Sequence, residues 1–242
     1  MAAAPYIVCV TEGLDRILLS VVIPTLNAGA VLGSTIDGIA ASQDDLPCEI
    51  VVVDGGSIDN TALIAAKMGA IFLEAPRGRG AQLAAAVPET SGEWLLFLHA
   101  DTRLGSGWGQ AVRAFIADPA NTAKAGYFRF ALDDDARAAR LVEVVVALRC
   151  RLFRLPYGDQ GLLINRAHYE ALGGYKRIPL MEDVDIVGRI GRRNLRRLNA
   201  VALTSAARYR RDGYLMRPLA NLVCLSLYSV GVSPRFLASR YR

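Results

Sequence analysis

Apolar positions along the chain gather into short dense blocks, separated by breaks rich in glycine, proline and hydroxyl side chains. Residues 17–24 (ILLSVVIP) form a β-branched run closed by proline, which predicts a buried strand. The turn 27–30 opens a helix over 30–42. Residues 49–54 (EIVVVD) predict a second buried strand, stopped by Gly55 and Gly56. Ser57, Asp59, Asn60 and Thr61 then supply cap-type side chains for a helix reaching Met68. A short strand over 70–74, an alanine-rich helix over 80–87 and a strand over 94–98 (WLLFL) extend the alternation. Strands and helices in this order and spacing predict the α/β class, with a parallel sheet and right-handed crossovers. In such sheets ligands sit beyond the carboxyl ends of the strands. The polar clusters fall at those ends: Thr25 and Asn27, then Asp54, then His99 and Asp101.

The pattern changes beyond residue 102. A strand is predicted over 126–132, and the acidic run 133–135 reads as the cap of a helix over 136–155. Leu141, Val144, Val145 and Leu148 form the apolar face of that helix. A short strand over 161–165, helices over 166–172 and 182–191, and a final apolar helix over 215–230 follow. Neither internal repeats nor a low-complexity linker interrupts the chain, so residues 1–242 read as one domain.

Composition narrows the classes. Cys9, Cys48, Cys150 and Cys224 lie far apart and form no CxxC pair, which excludes a zinc site or disulfide framework and fits a reducing compartment. Residues 1–10 lack a basic start and are interrupted at once by Thr11, Glu12 and Asp15, unlike a signal peptide. The longest uncharged apolar stretch, 218–234, is broken by Asn221, Gly231 and three serines and is short for a bilayer crossing. A cytoplasmic protein, soluble or membrane-peripheral, is expected. The net charge of +5 concentrates in Arg189, Arg192, Arg193, Arg196 and Arg197, in Arg208, Arg210, Arg211 and Arg217, and in Arg235, Arg240 and Arg242. Such a basic third can serve nucleic acid, anionic lipid or a phosphorylated substrate, while any single arginine reads as part of a solvated helix face. Few aromatics accompany the arginines and no nucleic-acid module is recognisable, so a nucleic-acid partner is not expected.

Three segments carry candidate chemistry. Asp101, at the end of a buried strand, is placed to hold Mg²⁺ or Mn²⁺ against a diphosphate, because hard cations favour oxygen ligands and let phosphates supply the rest. A helix cap is the alternative. The stretch Arg77-Gly78-Arg79-Gly80 is neither a Walker A loop nor a dinucleotide fingerprint. A basic, glycine-flanked helix start can still cradle phosphates through backbone N–H groups and a guanidinium fork. Glu182-Asp183 offers a carboxylate able to take a proton from an acceptor hydroxyl, an effect worth about 10²–10⁴-fold. Acidic charge at a helix amino end is the competing account, and both can hold.

Taken together, VVIPTLNAGAVL, EIVVVDGGSIDNTALIAA, the glycine/arginine stretch and EWLLFLHADTRL resemble the amino half of family 2 glycosyltransferases, which have the GT-A fold. By that resemblance Pro24, Thr25 and Asn27 line the base pocket, Asp54 contacts the nucleoside and Asp101 ligates the metal. His99 stands where the family usually has the first Asp of D-x-D, to bond the ribose or a phosphate, or to serve as a second ligand. Arg79 matches the basic residue common before the next helix, and Gln82-Leu83 stands where an Asn is often found. Met181-Glu182-Asp183-Val184-Asp185 resembles the family's E-D element, which implies Asp183 as catalytic base with Glu182 beside it. YGDQG (157–161), with LHADT and TSAARYRRDG, resembles a bacterial subset of radical-SAM/selenodomain-associated transferases, over about residue 18 to the C-terminus. Asp159 and Gln160 would shape the donor-sugar or acceptor pocket, or simply form a turn. Arg208 falls where a basic contact would reach the diphosphate.

The resemblance implies metal-dependent, inverting transfer of one sugar from a nucleoside-diphosphate donor, UDP being the expected base, to a hydroxyl acceptor. Residues 18–102 would form the donor half, 103–213 the acceptor and catalytic half, and 214–242 a C-terminal apolar and basic helix. That last segment would lie on a membrane surface, pack on the core, or form a dimer contact. The Q-x-x-R-W element of processive synthases is absent, which favours single-sugar transfer. A sugar-phosphate nucleotidylyltransferase would begin with a G-x-G-[ST]-R loop where this chain has PTLNAGA, and Asp54, Asp101 and Asp183 together argue against a non-catalytic nucleotide-sugar binder.

Overall fold

The computed structural model describes residues 18–42 and 46–240, so the expectations for residues 1–10, Cys9 and Arg242 lie outside the described residues. The amino half follows the predicted alternation: β1 (Leu19–Thr25), α1 (Leu32–Ala40), β2 (Cys48–Asp54), α2 (Thr61–Lys67), β3 (Ile71–Glu74), α3 (Arg79–Ala86) and β4 (Trp94–Phe97). The carboxyl half adds β5 (Thr102–Leu104), α4 (Trp108–Ile116), β6 (Ala125–Asp133), α5 (Arg137–Phe153), β7 (Leu162–Asn165), α6 (Arg166–Ala171), α7 (Glu182–Ile190), β8 (Leu195–Ser205), α8 (Ala207–Asp212), α9 (Met216–Ser229) and α10 (Pro234–Arg240).

One sheet joins both halves in the order β3-β2-β1-β4-β7-β6-β8-β5. β3, β2, β1 and β4 are parallel, with Thr25 level with Asp54. Beyond β4 the sheet is mixed: β7 runs antiparallel to β4 and β6, β8 runs parallel to β6, and β5 is antiparallel to β8. The parallel expectation therefore holds for the donor-side strands and not for the whole sheet. The strand order reverses between β1 and β4, which opens a crevice at their carboxyl ends.

Both faces of the sheet are covered, which is why its strands read as nearly continuous apolar runs. Val21 and Ile23 pack with α1 and with Trp108 of α4 on one face, while Val22, Val51 and Val53 pack with α3, α5 and α7 on the other. Gly80 sets how closely α3 meets the segment before α7, since a Cβ there would stand 2.3 Å from the carbonyl oxygen of Lys176 and 3.0 Å from that of Ile178.

Four expectations are corrected. On α5, Leu141, Val144, Val145 and Leu148 are 51–62% exposed, and the buried stripe is Ala139, Val142, Val146 and Cys150. The helix carries two apolar stripes, and the one with smaller residues fits the space against β6. The acidic run 133–135 does not cap α5, whose first residue is preceded by Ala136 without a side-chain cap. Asp134 instead accepts hydrogen bonds from Arg210 (2.6 Å) and Tyr214 (2.5 Å), tying α8 to this turn. Arg196 and Arg197 belong to β8, an internal eleven-residue strand, rather than to a helix. Its apolar positions alternate with Arg197 and Asn199, so no continuous block marks it. Finally, the expected single terminal helix is divided into α9 and α10, and α9 fully buries only Cys224.

Gly80→Ala should cost about 1–3 kcal/mol of stability by overpacking against backbone that cannot rotate away. Urea unfolding should show a lower midpoint with an unchanged slope; a midpoint equal to the parent's would mean the 176–178 segment yields freely.

Candidate active site

The loops after β1 and β2 are locked together by a buried carboxylate. Asp54, 3% exposed, accepts hydrogen bonds from Thr25 Oγ1 (2.9 Å), Gly56 N (2.9 Å), Ser57 N (2.6 Å) and Ser57 Oγ (2.5 Å). Burial pushes its carboxyl up, but the bonds from Ser57, Thr25 and Gly56 outweigh that and hold it below the ordinary carboxylate value. Ser57 Oγ in turn accepts from Asn27 N (2.7 Å), and Asn27 Oδ1 accepts from Ile58 N (2.9 Å). Asn27 itself sits at φ 51°, a left-handed conformation that Asn tolerates better than most residues. From α3, the Gln82 amide donates to the carbonyls of Thr25 (2.7 Å) and Val53 (2.8 Å), closing the ends of β1 and β2.

Two adjoining clefts open beyond these strand ends. The wider, about 470 Å³, runs along Pro24, Thr25 and Asn27 to Arg79, His99 and Asp101. The narrower, about 140 Å³, shares Arg79, His99, Asp101 and Arg208 with it and adds Asp159 and Asp183. Both clefts take residues from either side of residue 102.

At the junction, Arg79 pairs with Glu182 at 3.1 Å and Arg208 stands 3.8 Å from Asp101. Glu182 is 2% exposed, and burial raises its carboxyl against the opposing pull of Arg79. Met181, at φ 66°, turns the chain so that α7 starts at the cleft. Asp183 then accepts from Gly158 N (2.9 Å) through Oδ2 and from Val184 N (2.8 Å) through Oδ1. The backbone of Gly158 lies against His99, where a Cβ would stand 2.5 Å from Nε2. Burial, reinforced by Arg79 and Arg208, holds His99 well below its ordinary value, so it is a neutral imidazole.

Asp159 is the unsatisfied member. Its Oδ1 is buried without a hydrogen-bond partner. Burial pushes its carboxyl up to about 6; Asp183 and Asp101 push the same way, and Arg149 and Arg79 pull against them. Among the described residues no three His, Cys, Asp or Glu side chains assemble a complete metal cage. The donor set nevertheless fits a hard divalent cation that keeps phosphate oxygens: carboxylates at Asp101 and Asp159, one with an orphaned oxygen, beside a neutral imidazole.

Most sequence-predicted site residues thus converge: Pro24, Thr25, Asn27, Arg79, His99, Asp101, Asp159, Asp183 and Arg208 line the joined clefts. Two lie outside the clefts. The oxygens of Asp54 are taken up by Thr25, Gly56 and Ser57, so it orders the ends of β1 and β2. Gln160, 2% exposed, lies outside both clefts: its amide donates to Phe128 O (3.1 Å), and its Oε1 accepts from Arg149 (3.3 Å) and Cys150 (3.2 Å). Glu182 lines both clefts and pairs there with Arg79. Sequence reasoning missed Arg217 and Asn221, which bring α9 to the narrow cleft. Their i, i+4 spacing is the only local signal, and it is hidden inside an apolar helix.

Residues 20–138 match the family model described as glycosyl transferase family 2. The matched segment covers just under half of the chain. It runs from β1 into the start of α5 and so includes Asp54, Arg79, His99 and Asp101. Glucosyl-3-phosphoglycerate synthase of Mycobacterium tuberculosis is 34% identical over 92 residues, 34% of this chain and 28% of that protein. The PGL/p-HBAD biosynthesis glycosyltransferase of Mycobacterium bovis is 38% identical over 94 residues, 36% of each chain. The matched stretches therefore span about a third of the length of these relatives. The crystal structure of the same synthase from Mycobacterium tuberculosis, in complex with Mn²⁺ and UDP-glucose, superposes with a TM-score of 0.55 at 22% identity, over 79% of this chain and 70% of that one. S. aureus TarS, in complex with UDP-GlcNAc, gives a TM-score of 0.55 at 17% identity, over 77% and 55%. These likenesses show the GT-A fold around the family 2 segment.

Because the folded chain holds the Asp159 proton more tightly than the unfolded chain does, this group favours folding at low pH and loses that contribution as pH rises through about 6. Above that pH its charge costs roughly 1–3 kcal/mol. Without metal or nucleotide at pH 7.5, Asp159→Asn should therefore unfold a few degrees higher than the parent, with the gap closing below pH 5. A lower midpoint at pH 7.5 would mean that Oδ1 has a partner.

Proposed function

We propose that the protein is a glycosyltransferase that moves one sugar from a nucleoside-diphosphate donor to a hydroxyl acceptor with inversion. The observation that carries this reading is the meeting of Arg79, Arg208 and Asp101 where the wide and narrow clefts join. That arrangement suits a diphosphate lying between a nucleoside and a transferable group.

The nucleoside occupies the wide cleft along Pro24, Thr25 and Asn27, whose shape depends on Asp54 and Gln82. Uracil is the expected base. Arg79 and Arg208 engage the diphosphate, and Glu182 keeps Arg79 extended towards it. Asp101 would hold a divalent cation, Mg²⁺ or Mn²⁺, and His99 and Asp159, which line the same cleft, would contact the donor ribose and sugar or add a second ligand. When bound, that ion neutralises charge on the departing diphosphate, so the leaving group needs no proton. Asp183 accepts the acceptor hydroxyl's proton through the oxygen bonded to Gly158 N. The hydroxyl then attacks the anomeric carbon from the face opposite the diphosphate. Residues 18–102 supply most donor contacts and 103–213 the base and acceptor side. YGDQG and TSAARYRRDG support placement in the radical-SAM/selenodomain-associated subset. Buried free thiols at Cys150 and Cys224 support a reducing, cytoplasmic setting. No described helix is long and apolar enough to cross a membrane. The exposed side chains of Leu219, Leu222 and Val223 support a peripheral membrane contact through α9.

Calorimetric titration of UDP, GDP, ADP and TDP, each with Mn²⁺ and with EDTA, tests the donor half of the reading. One nucleotide should bind in a metal-dependent manner, and Asp101→Ala should weaken that binding at least about tenfold. Binding of none, or equal binding in EDTA, would overturn it.

The base assignment has its own test. Asp183→Asn should lower kcat by about 10²–10⁴-fold while donor affinity stays within about twofold. Turnover comparable to the parent's would remove Asp183 from the chemistry.

A further inference from the structure

A third cleft shares no residue with either cleft of the candidate active site. It lies between α5 and the strands β6 and β8, encloses about 620 Å³, and opens where the β6–β8 register breaks between Tyr127 and Arg129. Arg129, Arg151, Arg154 and Arg197 line it. Its one acidic residue, Glu143, is already committed to Leu132 N at 2.7 Å and to Arg140 at 3.1 Å. Among the described residues no carboxylate pairs with Arg129, Arg151 or Arg197. The cleft is therefore a concentration of uncompensated positive charge.

One rim of this cleft is apolar. Val144 and Leu148 line it and also belong to an exposed stripe on α5 formed by Leu141, Val144, Val145, Leu148 and Leu152, each 51–62% exposed. At the helical rise the stripe is about 17 Å long. A second copy of this chain docked about a two-fold axis would set guanidinium groups against guanidinium groups. A purely apolar partner would leave the arginines unanswered. A surface that is apolar in its interior and anionic at its boundary satisfies both features.

We propose that α5 seats the protein on an anionic bilayer, with its exposed stripe at the headgroup–acyl boundary and the four arginines around a lipid phosphate. This contact is independent of the glycosyl-transfer reading and distinct from the one proposed for α9.

Flotation of the full chain with phosphatidylglycerol-containing vesicles, against neutral phosphatidylcholine vesicles, tests it. The parent should float with the anionic vesicles and less so with the neutral ones. The double variants Val144→Ser/Leu148→Ser and Arg151→Gln/Arg197→Gln should each weaken anionic binding about tenfold or more while keeping the parent's thermal midpoint. No flotation of the parent, or flotation unchanged in both variants but lost in Leu219→Ser/Leu222→Ser, overturns the proposal. So does calorimetric binding of inorganic phosphate, sensitive to Arg151→Gln/Arg197→Gln, without vesicle binding, which would assign the cleft to a soluble phosphate ligand. A dimer in sedimentation velocity that dissociates in Val144→Ser/Leu148→Ser, with no vesicle binding, would assign the stripe to a second copy.

Discussion

Asp54 carries its charge at 3% exposure, and removing a carboxylate from water costs several kcal/mol unless hydrogen bonds replace the lost hydration. Four bonds replace it, and all come from the two loops that the carboxylate joins. The compensation and the architecture are therefore one fact: Asp54 can stay ionised only while the ends of β1 and β2 hold this geometry. Gln82 closes the same junction from α3, which ties the position of Arg79, at the start of that helix, to the strand ends. Glu182 then ties Arg79 to α7, and the first turn of α7 carries Asp183. A single chain of polar contacts runs from the wide cleft to the narrow one.

Charges of both signs crowd the junction of the two clefts. Arg79 and Arg208 face Asp101, Asp159, Glu182 and Asp183, and Arg149 stacks on Tyr157 at 3.5 Å just behind Asp159. The imbalance falls on Asp159, whose burial, with Asp183 and Asp101 nearby, pushes the carboxyl up to about 6, and whose Oδ1 has no hydrogen-bond partner. A site finished for its own sake would have supplied that oxygen with a donor. Buried carboxylate oxygens without a hydrogen-bond partner, at Asp159 and again at Glu182 Oε1, are what a cleft shaped for a charged ligand leaves behind.

The amino half was largely legible because each strand there is an apolar block that ends on a polar residue, and strand ends are where this topology gathers ligands. Thr25, Asn27 and Asp101 could be placed from that rule alone. What stayed hidden depends on which neighbour a side chain finds. Gln160 sits one residue from Asp159, yet turns towards Phe128 and Arg149, and nothing in YGDQG distinguishes the two directions. The face of α5 was misread because apolar size does not reveal which stripe the sheet can accommodate. β8 was missed because arginine and asparagine interrupt a strand that is polar on one side and packed on the other.

α9 shows how these limits bear on function. Along it Arg217 and Asn221 point one way, into the narrow cleft, while Leu219, Leu222 and Val223 are turned to the exterior. Arg217 is held in place by an ion pair with Asp212 at 2.6 Å, so the helix is fixed at the cleft mouth by polar contacts and not by burial. An acceptor entering on that side passes a helix that is apolar outside and basic inside. That sequence of surfaces would admit an amphiphile head first, with its polar end among the arginines and its apolar part left against α9. The same order of charge and apolar surface recurs at α5, on residues that line neither of the two clefts.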